Sequence, residues 1–129
     1  MTPFETPDIE AAFQEFDPSV RDQLLAFREM IFVVGASLDA VQRIEESLKW
    51  GQPSYNALPK TGTPIRLGQS KSGEACLFVH CQTTLVGDLA SAGGHDLRTV
   101  DNRSVLLPKD LSSSPELLTF IRATFTYHV

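Results

Sequence analysis

Cysteine and tryptophan are scarce in this 129-residue chain, which holds two of the first and one of the second. Cys76 and Cys81 lie five residues apart in a strand-like segment. That spacing puts them on opposite faces and about 16 Å apart, against a Cα limit of about 7 Å for a disulfide. Two thiols are the expectation, in keeping with a reducing compartment. Long apolar runs are missing too. The most apolar stretch, Met30 to Ala36, falls far short of the roughly 20 residues that span a bilayer, so it reads as buried helix and no membrane partner is expected. The opening MTPFETPDIE has no Lys or Arg and no apolar core, so it resembles neither a secretory signal nor a transit peptide, and a cytoplasmic location is expected. Basic runs are absent. Eleven Lys and Arg against sixteen Asp and Glu give a formal charge of −5. Such a balance disfavours nucleic acid and anionic lipid unless the bases gather on one face, so no nucleic-acid partner is expected. No nucleophile elbow, P-loop or dinucleotide fingerprint is present, and Thr61-Gly62-Thr63 and Ser91 to Asp96 read as turns rather than phosphate cradles.

What remains is one domain spanning residues 1–129. With 42% hydrophobic and 21% charged residues, a chain of this length buries enough surface for a single core. Three helices share one start signal, a side-chain acceptor followed by proline, at Thr6-Pro7, Asp17-Pro18 and Ser114-Pro115. Their apolar stripes follow a 3.6-residue period: Ile9, Ala12, Phe13 and Phe16 in the first, Val20, Leu24, Phe27, Ile31 and Val34 in the second, and Leu117, Leu118, Ile121 and Phe125 in the third. Arg21, Asp22, Arg28 and Glu29 fall on the remaining circumference of the second helix, which is expected to end near Gly35 or Ser37. Between the second and third helices the period moves toward two. Val41 to Trp50 fits either a helix or a strand, with a strand from about Ser47 favoured. Thr63–Gln69 and Ala75–Cys81 are expected to form a hairpin around Lys71 to Glu74. Leu85–Ala92 is expected as a short helix, and Arg98–Val100 and Ser104–Leu107 as short strands around a turn. The expectation is an α+β fold, a mainly antiparallel sheet of about five short strands with two N-terminal helices and one C-terminal helix packed on one face.

The most distinctive segment is Trp50-Gly51-Gln52-Pro53-Ser54-Tyr55, where a glycine and a proline between two aromatics predict a bulged strand or edge kink. The structural reading packs the aromatics on their own core. The functional reading makes Trp50, Pro53 and Tyr55, with His80, candidate ligand-binding residues lining a cleft. Together with the lead-in Ile44 to Lys49, two helices before it, and short strands and a closing helix after it, this hexapeptide resembles the YdhG-like family of domains of unknown function. The order of elements is similar from about Pro18 to Phe125. In that family the strand after the hairpin turn usually continues into an aromatic-Pro step, where this chain has Phe78-Val79-His80-Cys81. The resemblance implies a frataxin-like α+β fold. It also implies the activity proposed for some members, that of iron chaperones, and carries no catalytic residues with it.

Transient iron binding calls for exposed oxygen ligands that release the metal. Asp8 and Glu15 share a face of the first helix, with Glu5 just before it, and these three are the candidate metal ligands. The competing reading is a solvated helix surface with acids near its positive end. Glu45 and Glu46 point to opposite faces if they lie on a strand, so at most one joins any cluster. Cys76, Phe78 and His80 share one face of their strand while Leu77, Val79 and Cys81 share the other, so neither the two sulfurs nor His95 complete a zinc pattern. The first 17 residues hold Glu5, Asp8, Glu10, Glu15 and Asp17 and no base, which accounts for the whole acidic excess. The first expectation is therefore a non-enzymatic binding domain that engages a metal such as iron, or a protein partner. The alternative is a small-molecule-binding or enzymatic domain with a cleft near Trp50 and Tyr55, and a third class is a homo-oligomeric module joined through exposed strand edges.

Overall fold

The computed structural model describes residues 1–80, 84–87, 98–100, 103–111 and 114–128. Helix α1 (Pro7–Gln14) starts at Thr6, whose hydroxyl accepts from the Ile9 amide. Helix α2 (Pro18–Ala36) follows from Asp17 and is capped at Ser37. Strands β1 (Arg43–Lys49), β2 (Gln52–Leu58), β3 (Ile65–Gln69), β4 (Ala75–Phe78), β5 (Arg98–Val100) and β6 (Ser104–Leu106) precede helix α3 (Pro115–Phe125). All strand pairings are antiparallel, in the order β1-β2-β3-β4-β6-β5. The fold is α+β, as the periodicity predicts.

One face of the sheet carries the core. Ile44 of β1, Tyr55 and Ala57 of β2, Ile65 and Leu67 of β3, Leu77 of β4 and Val105 of β6 are buried with the α2 stripe Val20, Leu24, Phe27, Ile31 and Val34 and with Leu117, Ile121 and Phe125 of α3. The parity follows from the pleat, since alternate residues point to opposite sides. Gly35 serves close packing rather than a left-handed cap. A Cβ there would sit 2.5 Å from Ile44 Cγ1, and α2 continues through it to Ala36.

Two expectations are corrected. The strand favoured from Ser47 begins at Arg43, because Ile44 and Glu46 both turn inward. Among the described residues the sheet has six strands, close to the expected five, the further one being β2, whose alternation is interrupted by Pro53 and Asn56. The Trp50-Gly51 bend is a two-residue hairpin turn and not a bulge: Lys49 pairs with Gln52, and Trp50 and Gly51 have φ of 52° and 76°. Positive φ at both central residues is what a type I′ turn requires, because its twist matches that of the flanking strands. Residues 85–87 are helical, with Leu85 and Val86 buried. The rest of the predicted helix to Ala92 lies outside the described residues.

Candidate functional site

The face of the sheet turned away from the helices is built from small residues under larger ones. Ser54 pairs with Arg66, Arg66 with Phe78, and Phe78 with Ser104, so these four form a row across β2, β3, β4 and β6. The neighbouring row contains Gly68, Cys76 and Leu106. Ser54, Gly68, Cys76 and Ser104 are buried. At Gly68 a Cβ would lie 2.9 Å from Gln52 Nε2 and 3.1 Å from Phe78 Cε2, so the missing side chain is what lets Gln52 and Phe78 lie across β3.

Arg66 sits at the centre of this face. Its guanidinium carbon lies 5.4 Å from the Trp50 ring centroid and 5.7 Å from that of Phe78, both within cation–π range, and its Nη1 donates to Gln52 Oε1 at 3.0 Å. Burial, with the positive charge of Arg103 nearby, holds the Arg66 pKa below its usual value. Arg28, Arg43 and Arg98 each pair with a carboxylate; Arg66, among the described residues, does not. Trp50 itself is 90% exposed. Beside this stack runs a groove of about 370 Å³ lined by Gln69 to Ser72, Cys76, Phe78, Arg103 and Ser104. Its described lining offers two cationic side chains, several hydroxyls and an aromatic floor, with no acid.

On the helix side of the sheet lies a second polar cluster. Arg28 and Glu46 are both fully buried, with Nε 2.5 Å from Oε2 and Nη2 3.1 Å from Oε1. Tyr55 Oη donates to Glu46 Oε2 at 2.6 Å and the Glu5 amide donates to Oε1 at 3.0 Å. Arg28 also donates to the carbonyls of Thr2 and Pro3 and to Glu29, and its guanidinium lies 4.3 Å from the Phe4 ring centroid. Burial alone would raise the Glu46 pKa, but the hydrogen bonds from Arg28 and Tyr55 outweigh it and hold the carboxyl below its usual range. Burial together with the Glu46 hydrogen bond raises the Tyr55 phenol far above its ordinary value. With every acceptor of Glu46 engaged and no access from solvent, this cluster ties the N-terminal arm, α2 and the β1–β2 hairpin together.

The sequence-predicted ligand residues are therefore divided between the two faces. Trp50 stands exposed beside the second face, and His80, also exposed, follows β4 on that side by parity. Tyr55 is fully buried on the helix side, its ring edge-on to Phe32 with centroids 5.8 Å apart, and Pro53 is buried at a position of the same parity. Trp50 and Tyr55 do not wall one cleft, because Trp50 stands in the exposed β1–β2 turn while Tyr55, inside β2, points into the core. Arg28, expected on the solvated side of α2, is instead a core residue satisfied by Glu46.

Nor are the proposed metal ligands drawn into one site. Glu5 pairs with Arg43 at 3.5 Å, while Asp8 and Glu15 are exposed on α1 and at its C-cap. Among the described residues no three of His, Cys, Asp and Glu come together as a metal-binding group. Cys76 is a buried thiol; Cys81 and His95 lie outside the described residues. Arg66, Phe78, Lys71 and Arg103 escape a reading based on runs of charge, because they come together only through antiparallel pairing. The parity of Cys76, Phe78 and His80 was the available signal. No helix among the described residues is long and apolar enough to cross a membrane. Comparison of the chain with protein-family models, with curated proteins and with solved structures gives no match in any of the three, so the YdhG-like resemblance rests on the hexapeptide and the order of elements alone.

Proposed function

We propose that this domain is a binding protein whose ligand is a small organic anion with a flat apolar portion, held in the groove on the second face of the sheet. One observation carries the reading: the groove combines an aromatic floor, Phe78, with Lys71 and Arg103 at its rim and no acid among its described lining, in a chain whose net charge is −5. Concave sites with mostly apolar walls and a few convergent polar groups are where small ligands bind. This develops the small-molecule alternative and moves it from the Trp50–Tyr55 pair to the Trp50–Phe78 side. An iron-carrying role, implied by the resemblance to frataxin-like proteins, would have to work through Glu5, Asp8 and Glu15, and their placement offers it no shared site.

Thermal-shift measurements against aromatic carboxylates and phosphomonoesters test the groove. At least one compound should raise the melting temperature of the wild type, with the shift much reduced in Arg103→Gln and Lys71→Gln. A panel without any shift, or shifts untouched by both substitutions, overturns the reading.

A further inference from the structure

Trp50 occupies its position against two preferences. Asn, Asp or Gly is favoured in the first central position of a type I′ turn, because an L side chain at positive φ is strained. An indole left 90% exposed also forgoes the burial that aromatics ordinarily gain. A residue strained in its backbone and unburied in its side chain points to a function outside folding. The indole lies against the Arg66 guanidinium, which is itself stacked toward Phe78.

Two further observations lie in the same place. Ser54 Oγ, directly across the ladder from Arg66 and buried, has no hydrogen-bond partner; Asn56 Oδ1, two residues along the same side of β2, is buried and unpartnered too. Buried polar atoms are ordinarily satisfied, and a hydroxyl together with an amide carbonyl call for a ligand that brings N–H donors as well as acceptors. Arg66 has no carboxylate among the described residues and lies within the field of Arg103, and Phe78 belongs both to the stack and to the lining of the groove.

We propose that the Trp50–Arg66–Phe78 stack is a base-recognition subsite and that the ligand of this face is a nucleotide. The base stacks on Trp50 with its polar edge toward Ser54 and Asn56, and the phosphate lies toward Arg103 and Lys71. This rests on the groove reading and specifies its ligand class. A flat ring with donors and acceptors on its edge, joined to a phosphate, is the chemistry that serves all four features at once. The same unit occurs free or within a single strand, and the acidic balance of the chain favours the free form.

Trp50 is the only tryptophan, so its fluorescence reports binding directly. Adenosine monophosphate, uridine monophosphate, ribose 5-phosphate, phenyl phosphate and an eight-residue oligothymidine are titrated separately. A mononucleotide should quench Trp50 and bind more tightly than ribose 5-phosphate. In Arg66→Gln the affinity should fall between about fivefold and a hundredfold, the range that loss of one stacking partner produces. Arg66→Lys, which keeps charge but loses the plane, should fall short of wild type. Trp50→Phe should retain part of the affinity that Trp50→Ala loses, followed by calorimetry; because Trp50 is exposed, both variants fold. Oligothymidine binding more tightly than mononucleotides, with a steep salt dependence, assigns the same subsite to single strands and supports the base chemistry. Binding of phenyl phosphate without any nucleotide overturns this inference and leaves the groove reading standing. Nucleotide binding unchanged in Trp50→Ala and Arg66→Gln overturns it as well, and no binding of any of the five removes both.

Discussion

Arg28 Nε and Glu46 Oε2 meet at 2.5 Å inside the protein, with neither side chain accessible to solvent. Removing one member of a buried ion pair leaves the other uncompensated, so Arg28→Met should cost about 3–5 kcal/mol in unfolding free energy. Replacing both, as Arg28→Met with Glu46→Leu, should cost less than the sum of the two single substitutions, since the stranded charge is removed along with its partner. Chemical denaturation of the four proteins checks this, and strict additivity would contradict the pairing.

The same cluster sets two limbs of the pH–stability profile. Glu46 has its pKa lowered in the folded state, so its contribution is present above the unfolded carboxylate range and is lost as pH falls through the lower folded value. Glu46→Gln should therefore be less stable than wild type at neutral pH, with the gap narrowing in acid. Tyr55 has its pKa raised from 10.0, so its contribution is complete below that value and declines above it, where the unfolded phenol ionises. Tyr55→Phe should flatten the alkaline limb. Urea unfolding across the pH range measures both.

Gly62 and Gly73 test two different uses of glycine. At Gly62 a Cβ would lie 2.1 Å from the Thr124 carbonyl oxygen and 2.5 Å from the Phe125 backbone. In the same place the Thr63 amide donates to Thr124 O and Thr61 Oγ1 to Phe125 O. Because the obstacle is backbone, Gly62→Ala should force the loop off α3 and cost about 3 kcal/mol or more. Gly73 has φ of 84° with open space around it, so Gly73→Ala should cost only the conformational term, about 1 kcal/mol. Thermal melts of the two variants should rank them in that order.

Trp50→Asn should separate stability from binding. Asparagine tolerates the positive φ of a type I′ turn, so this variant should gain about 1 kcal/mol, or roughly 3 °C in melting temperature for a chain of this size. It should also lose the stack on Arg66 and the affinity that depends on it. A variant that is less stable than wild type would show that Trp50 serves the fold.

Much of the architecture was legible because it is written in local periods. The proline-led helix starts, the stripe from Val20 to Val34, and the parity of Cys76, Phe78 and His80 depend only on nearby residues. β2 was legible only in part, as a bulged strand or edge kink over Trp50 to Tyr55, because Pro53 and Asn56 weaken its propensity, and pairing with β1 and β3 overrides that. The burial of Arg28 was hidden for a related reason: a charge on an amphipathic helix reads as solvated unless its partner, here Glu46 on a strand eighteen residues away, is known. The candidate site depends on register, which brings Arg66 from β3, Phe78 from β4 and Arg103 from the turn just before β6 together. No segment of the chain contains that pattern, and only the Trp50 hexapeptide pointed to its edge.

The central claim is that ligands bind the sheet face opposite the helices. It is tested most directly by following backbone amide resonances of the isotope-labelled protein during titration with phenyl phosphate, an arene carrying one anionic group. The predicted result is a saturable set of shifts confined to Trp50, Gln52, Arg66 to Ser72, Cys76, Phe78 and Ser104, with α1 and α2 unmoved. Shifts confined to α1 and its acids, or scattered without saturation, would contradict it.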